Sequence, residues 1–197
     1  MKTKITLFCL LIVMNFASKA QNYVTIPDAN FVAYLQWLYP DCMNGNLMDT
    51  TSTVLDTLTS LSVDNYSITD LTGIQYFTSL LDLSCSGNLL TSLPALPNSL
   101  QNISCDQNQL TSLPALPTSL IRLWCNNNQL TNLPVLPSPL QDLDCSDNQL
   151  TSIPTLPNNL KYLVCANNNL TGLPFLPSLL KGINSICLLY TSPSPRD

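Results

Sequence analysis

The sequence predicts an α/β-type repeat solenoid. Short parallel strands should line its concave face, extended or polyproline-like segments its convex face, and a small helical cap its N-terminal end. Three observations predict this. A cysteine returns every twenty residues, at Cys85, Cys105, Cys125, Cys145 and Cys165. Each sits in the same phrase, L-x-x-[LI]-x-C-x-x-N-x-L-T-x-[LI]-P-x-L-P-x-x, as in LIRLWCNNNQLTNLPVLP at residues 120–137. The two prolines of that phrase forbid helix in the return segment and favour extended backbone, so a coil can close within twenty residues.

Taken in order, residues 1–20 (MKTKITLFCLLIVMNFASKA) place Lys2 and Lys4 ahead of an apolar run from Ile5 to Met14, then a small-residue exit at Ser18 and Ala20. That layout predicts a secretory signal peptide cleaved after Ala20. The run is about half the roughly 20 residues a bilayer-spanning helix needs. Residues 21–57 read as an N-terminal cap, because an open first coil would expose the solenoid core. Within it, IPDANFVAYLQWLYP has Phe31, Leu35 and Leu38 at helical spacing, Asp28 near the start and Pro40 at the stop. Residues 58–79 form one 22-residue unit carrying Leu58, Leu61, Val63, Ile68, Leu71, Ile74 and Phe77, with DLTGI in place of the proline return. Residues 80–186 are twenty-residue repeats, the last of them truncated. Residues 187–197, CLLYTSPSPRD, break the pattern and resemble one reading frame of a sequencing adapter, which implies a non-native tail.

The repeating unit is the leucine-rich repeat signature with cysteine in the third apolar slot. In each coil the L-x-C stretch is a short strand whose alternate side chains enter the core, while the residues between them point outward. The following asparagine (Asn108, Asn128, Asn148, Asn168) is expected to bury its amide against backbone groups of its own turn and of the neighbouring coil.

Two family resemblances rest on these residues. The N-x-L-T and LPxLP segments resemble the short leucine-rich repeats of bacterial effectors, some of which carry a separate ubiquitin-ligase domain. The start IPDANFVAYLQ, the DLTGI unit and the L-x-C-x-x-N-x-L-T-S-L-P repeats are together similar to secreted, cell-surface leucine-rich repeat proteins of the Bacteroidetes type. The second resemblance covers residues 22–186 and implies export. The signal peptide departs from the effector pattern, and no ligase domain is present to carry over.

Charge narrows the partners. The whole chain carries 12 acidic and 7 basic residues, net −5. Without residues 1–20 and 187–197 it loses Asp197 and, on the basic side, Lys2, Lys4, Lys19 and Arg196, leaving 11 against 3 and a net charge of −8. Such a surface argues against nucleic acid and anionic membrane, both of which call for clustered Lys and Arg. Histidine is absent, and with it the commonest general base and metal ligand.

The cysteines have several readings. Stacked on strands about 4.8 Å apart, their Cα atoms fall within reach of a disulfide, but their Cβ atoms point the same way. Core packing requires no distortion, since a free cysteine behaves as a small hydrophobe. Bridging stays open in an oxidising, exported setting. A zinc array lacks C-x-x-C pairs, and a catalytic thiolate lacks a partner base. Cys42 stands alone in the cap as a packed or surface thiol. DCMNGNLMD, residues 41–49, misses the EF-hand spacing and reads as a turn.

Function is expected on the outward strand positions. Most are small or polar, as at Asp82, Ser84, Asn102, Ser104 and Asp106. Arg122, Trp124 and Tyr162 are residue types enriched in interface hot spots, and with Asn126, Asp142 and Asp144 they form the candidate ligand-binding patch. The alternative is that Arg122 only pairs with Asp142 and Trp124 covers its neighbours. The expectation is a non-catalytic module without cofactor that binds a protein or other macromolecule on its concave face. A structural or adhesive spacer, or the recognition arm of an effector, are the competing readings.

Overall fold

A computed structural model describes residues 22–184. The signal peptide, its cleavage site and the adapter-like tail lie outside these residues. The chain opens with β1 (Tyr23–Thr25), α1 (Ala29–Leu38), β2 (Met43–Asn44), β3 (Leu47–Asp49) and α2 (Thr53–Thr57). Seven strands follow: β4 (Ser60–Ser62), β5 (Asp82–Ser84), β6 (Asn102–Ser104), β7 (Arg122–Trp124), β8 (Asp142–Asp144), β9 (Tyr162–Val164) and β10 (Gly182–Asn184). They form one parallel sheet in sequence order, the topology of a leucine-rich repeat solenoid.

Register follows from the repeat. Leu61, Leu83, Ile103, Leu123 and Leu143 stand opposite one another and face inward, so the strand positions on either side stack in two outward columns. One column runs Ser60, Asp82, Asn102, Arg122, Asp142, Tyr162. The other runs Ser62, Ser84, Ser104, Trp124, Asp144, Val164. Between β4 and β10 no α-helix forms; the return segments run without regular structure except for a short 3-10 turn at Ile74–Tyr76, where DLTGI replaces the prolines.

The cysteine ladder belongs to the core. Cys85, Cys105, Cys125, Cys145 and Cys165 are buried free thiols, as is Cys42 of the cap. Burial raises their pKa, to about 12 at Cys105 and about 11 at Cys165. Nucleophilic chemistry is thereby suppressed, because the thiolate is the reactive form.

The asparagines bind coil to coil. Asn128 Nδ2 donates to the carbonyls of Cys105 and Cys125 at 3.0 and 3.1 Å, while its Oδ1 accepts from Leu110 N–H at 2.9 Å. Asn148 and Asn168 repeat the arrangement one and two coils later. Asn88 begins it, joining Val63 O, Cys85 O and the amides of Tyr66 and Ile68. Between strand and asparagine the chain turns through left-handed backbone at Gly87, Gln107, Asn127, Asp147 and Asn167. At Gly87, whose φ is +66°, the Asn65 side-chain amide lies where a Cβ would stand.

The cap closes the first coil. Asp28 is the N-cap of α1, its Oδ1 accepting from Phe31 N–H at 2.8 Å. Its Oδ2 accepts from both Thr69 N–H and Thr69 Oγ1 at 2.7 Å, tying the helix to the 22-residue unit. The buried face of α1 is Phe31, Tyr34 and Leu35. The helix read from Phe31, Leu35 and Leu38 is present, with Leu38 as its last residue and 38% exposed, and the Tyr34 hydroxyl donates to Ser62 O at 2.6 Å. Entering residues 41–49, a 3-10 turn at Pro40–Cys42 leads into the β2–β3 hairpin around Gly45, whose φ is +59°. That agrees with the turn read from DCMNGNLMD.

Candidate functional site

The outward columns create the site through a step in side-chain size. On β4, β5 and β6 the second column carries Ser62, Ser84 and Ser104, and on β7 it carries Trp124. The indole therefore stands beside small neighbours, 47% exposed, and bounds a recess of about 260 Å³. Arg122 and Trp124 line its end toward β7, and the serines of β4, β5 and β6 line the remainder together with Asp82, Asn102 and the strand leucines and isoleucine.

Polar contacts order the recess. The Arg122 guanidinium is held from both sides, Nε to Asp142 Oδ2 at 3.2 Å and Nη1 to Asn102 Oδ1 at 3.3 Å. Asn102 in turn donates to Asp82, so Asp82, Asn102, Arg122 and Asp142 form a continuous polar column. The serines point their hydroxyls at carboxylates of the next turn: Ser62 and Ser84 donate to Asp64, and Ser86 and Ser104 donate to Asp106. Of the aspartates on and beside these strands, Asp142 pairs with Arg122, while Asp64, Asp82, Asp106 and Asp144 accept from neutral donors.

The structure brings Arg122, Trp124 and Asp142 together, as the register requires. Asp144 is next to Trp124, but its Oδ1 accepts from Ser146 N–H and Oγ at 3.0 and 2.6 Å and serves the local turn. Asn126 follows on the same coil, half-buried. Tyr162 stands two strands beyond β7, its ring against Gly182, where a Cβ would lie 3.3 Å away. The recess therefore extends from Trp124 toward β4, away from Asp144 and Tyr162. The serine floor carried no sequence signal by residue type; the size difference between Ser104 and Trp124, one period apart, was the available clue.

Two other depressions lack this combination. One on the convex side is lined by Ala115, Leu116, Thr118, Pro134, Val135 and Pro137, almost wholly apolar. The other lies on the cap among Asn30, Ala33, Tyr34, Trp37 and Tyr66. No group of three or more His, Cys, Asp or Glu residues arranged to hold a metal ion occurs among the described residues.

Known proteins share this architecture. Residues 118–158 match the family described as "Leucine Rich repeats (2 copies)". No curated protein matches the chain. Among solved structures, a Shigella effector leucine-rich repeat domain is 35% identical, with a TM-score of 0.60 over 63% of this chain and 56% of that one. YopM from Yersinia enterocolitica WA-314 is 32% identical, with a TM-score of 0.54 over 65% of this chain and 33% of that one. YopM from Yersinia pestis, a leucine-rich effector protein, is 32% identical, with a TM-score of 0.55 over 68% and 44%. The chain thus spans from a third to just over half the length of these structures. Residues 22–184 form a leucine-rich repeat solenoid whose coils are similar to the leucine-rich repeat domains of bacterial effectors.

Proposed function

We propose that this chain is an exported, non-catalytic binding module that takes a protein ligand on the open face of its sheet. The observation that carries the reading is Trp124, a large aromatic left 47% exposed beside a serine-floored recess. Tryptophan and arginine supply much of the energy in protein interfaces, and here Trp124 and Arg122 border one concavity of the sheet. The parallel sheet also fixes the binding residues on rigid backbone, so little entropy is lost on association. Similarity to effector domains supports protein recognition over catalysis. Export rests on the signal-peptide pattern of residues 1–20.

A random twelve-residue peptide library displayed on phage tests the reading. Selected binders are expected to lose at least about tenfold in affinity for the Arg122→Ala, Trp124→Ala double variant and to be indifferent to Val135→Ser on the convex face. Binders that respond to Val135→Ser and ignore the double variant would move recognition to the convex side. A chain that selects no binders would fit a spacer.

A further inference from the structure

We infer that the recess beside Trp124 receives a basic side chain, arginine or lysine, of the protein ligand. This rests on the proposed open-face reading and names the chemistry of the partner. The recess offers both halves of what such a side chain needs. Its apolar wall is the Trp124 indole, whose face attracts a cation within about 6 Å and packs against an aliphatic stem. Its acidic wall is Asp82, which lines the same recess two strands away, roughly 10 Å at the spacing of a parallel sheet.

Asp82 accepts a hydrogen bond from Asn102 through Oδ1 and stands exposed. Behind it, Asp64 and Asp106 are held by the serine hydroxyls and add negative charge at the recess margin. The one local cation is already engaged: Arg122 spends its charge on Asp142 and its second contact on Asn102. The face around the recess is left with an unmatched negative charge, in a chain with 11 acidic and 3 basic residues between 21 and 186. An acidic or neutral ligand segment would leave those carboxylates without a counter-charge as they lose water, whereas a guanidinium or ammonium supplies one.

The chain's two tryptophans, Trp37 and Trp124, make the site observable. Trp37→Phe leaves Trp124 as the single emitter, and Trp37 lies on the cap, outside the recess. The same displayed library is selected on this variant, and enriched peptides are synthesised. Binders are expected to share an Arg or Lys, to change Trp124 emission saturably, and to weaken at least about tenfold when the shared residue becomes citrulline or norleucine. Asp82→Asn should weaken them at least about tenfold, while Asp56→Asn, which removes the same charge from an exposed site on α2, should change affinity less than about twofold. Equal losses from both aspartate variants would reduce the effect to overall charge and overturn the inference. Binders that need Trp124 but share no basic residue would overturn it while leaving the open-face reading standing. Binders that ignore Trp124→Ala would remove both. Chitooligosaccharides that quench Trp124 and displace the selected peptides equally well in parent and Asp82→Asn would assign the recess to a sugar instead.

Discussion

The cap and the repeat array are held together in opposite ways. In the array, every coil makes the same bonds to its neighbours, and Asn108, Asn128, Asn148 and Asn168 are equivalent rungs. In the cap, α1 is tied to the first coil by bonds that do not repeat: Thr69 to Asp28, Tyr34 to Ser62 O and Asn30 to Ser67 O. Gly73 shows the same singularity: its φ is +112°, and a Cβ there would lie 2.4 Å from Ile26 Cδ1. Periodicity spreads one solution over many positions, whereas a lid must be solved once for the end it covers.

The largest effect is expected from breaking a rung. Asn128→Leu leaves the Leu110 N–H buried without a partner and takes one of two asparagine donors from each of the Cys105 and Cys125 carbonyls, and should cost about 3–4 kcal/mol by chemical denaturation. If Asn148→Leu costs the same within about 1 kcal/mol, the rungs are equivalent; a large inequality would break the comparison. Asp28→Ala removes both an N-cap and the Thr69 link and should cost about 2–3 kcal/mol. This cost should depend on acid. Burial acts to raise the Asp28 pKa, but hydrogen bonds from Thr69 and Phe31 outweigh it and hold the pKa below its ordinary 3.8. The Asp28 contribution is therefore complete above 3.8 and is lost as pH falls through the lowered folded value, so parent and Asp28→Ala should converge in acid.

The ladder gives the alkaline counterpart. Burial first, and neighbouring charge second, raise the ladder thiols, so the unfolded chain ionises from 9.0 while the folded chain keeps its protons. Stability should be complete below 9.0 and fall as pH rises above it, and Cys125→Ala, at a cost of about 1 kcal/mol near neutrality, should soften that fall. Iodoacetamide followed by peptide mass spectrometry should label Cys105 far more slowly in the native chain than in urea; equal rates would place the thiol outside the core. The smallest effect on stability belongs to the binding face. The Arg122–Asp142 pair is half solvent-exposed on the arginine side, so Arg122→Ala should move the denaturation midpoint by less than about 0.5 kcal/mol.

The repeat was legible because its period, its buried leucines and its asparagine rung all agree in sequence, and the structure places each where that agreement puts it. The asparagine bonds could be anticipated, since a polar residue at a fixed point of a buried turn has few other uses. The cap was only partly legible. Asp28 and the helix were visible, but the link to Thr69 joins residues 41 apart with no periodic signal. Helical spacing marked the helix through Leu38 but does not say where the surface beneath it ends, and Leu38 is 38% exposed. At the site, Trp124 and Arg122 stood out by type, whereas the recess arises from what their neighbours lack, and an absence of bulk at Ser84 and Ser104 becomes informative only once strands are stacked.

The rungs also bear on how the chain finds its structure. Their bonds between coils join residues 18 to 23 apart, at Asn128 as at Asn148 and Asn168. Loop-closure entropy depends on that separation alone, so each added coil closes a loop of the same length as the last. Folding can proceed as a zipper whose steps do not become harder with distance from the nucleus. Insertion or deletion of a whole coil preserves every remaining step, while a change of a few residues breaks one. An array built this way can change its length in units of twenty without renegotiating its core, and only the binding columns on its surface need to be rewritten.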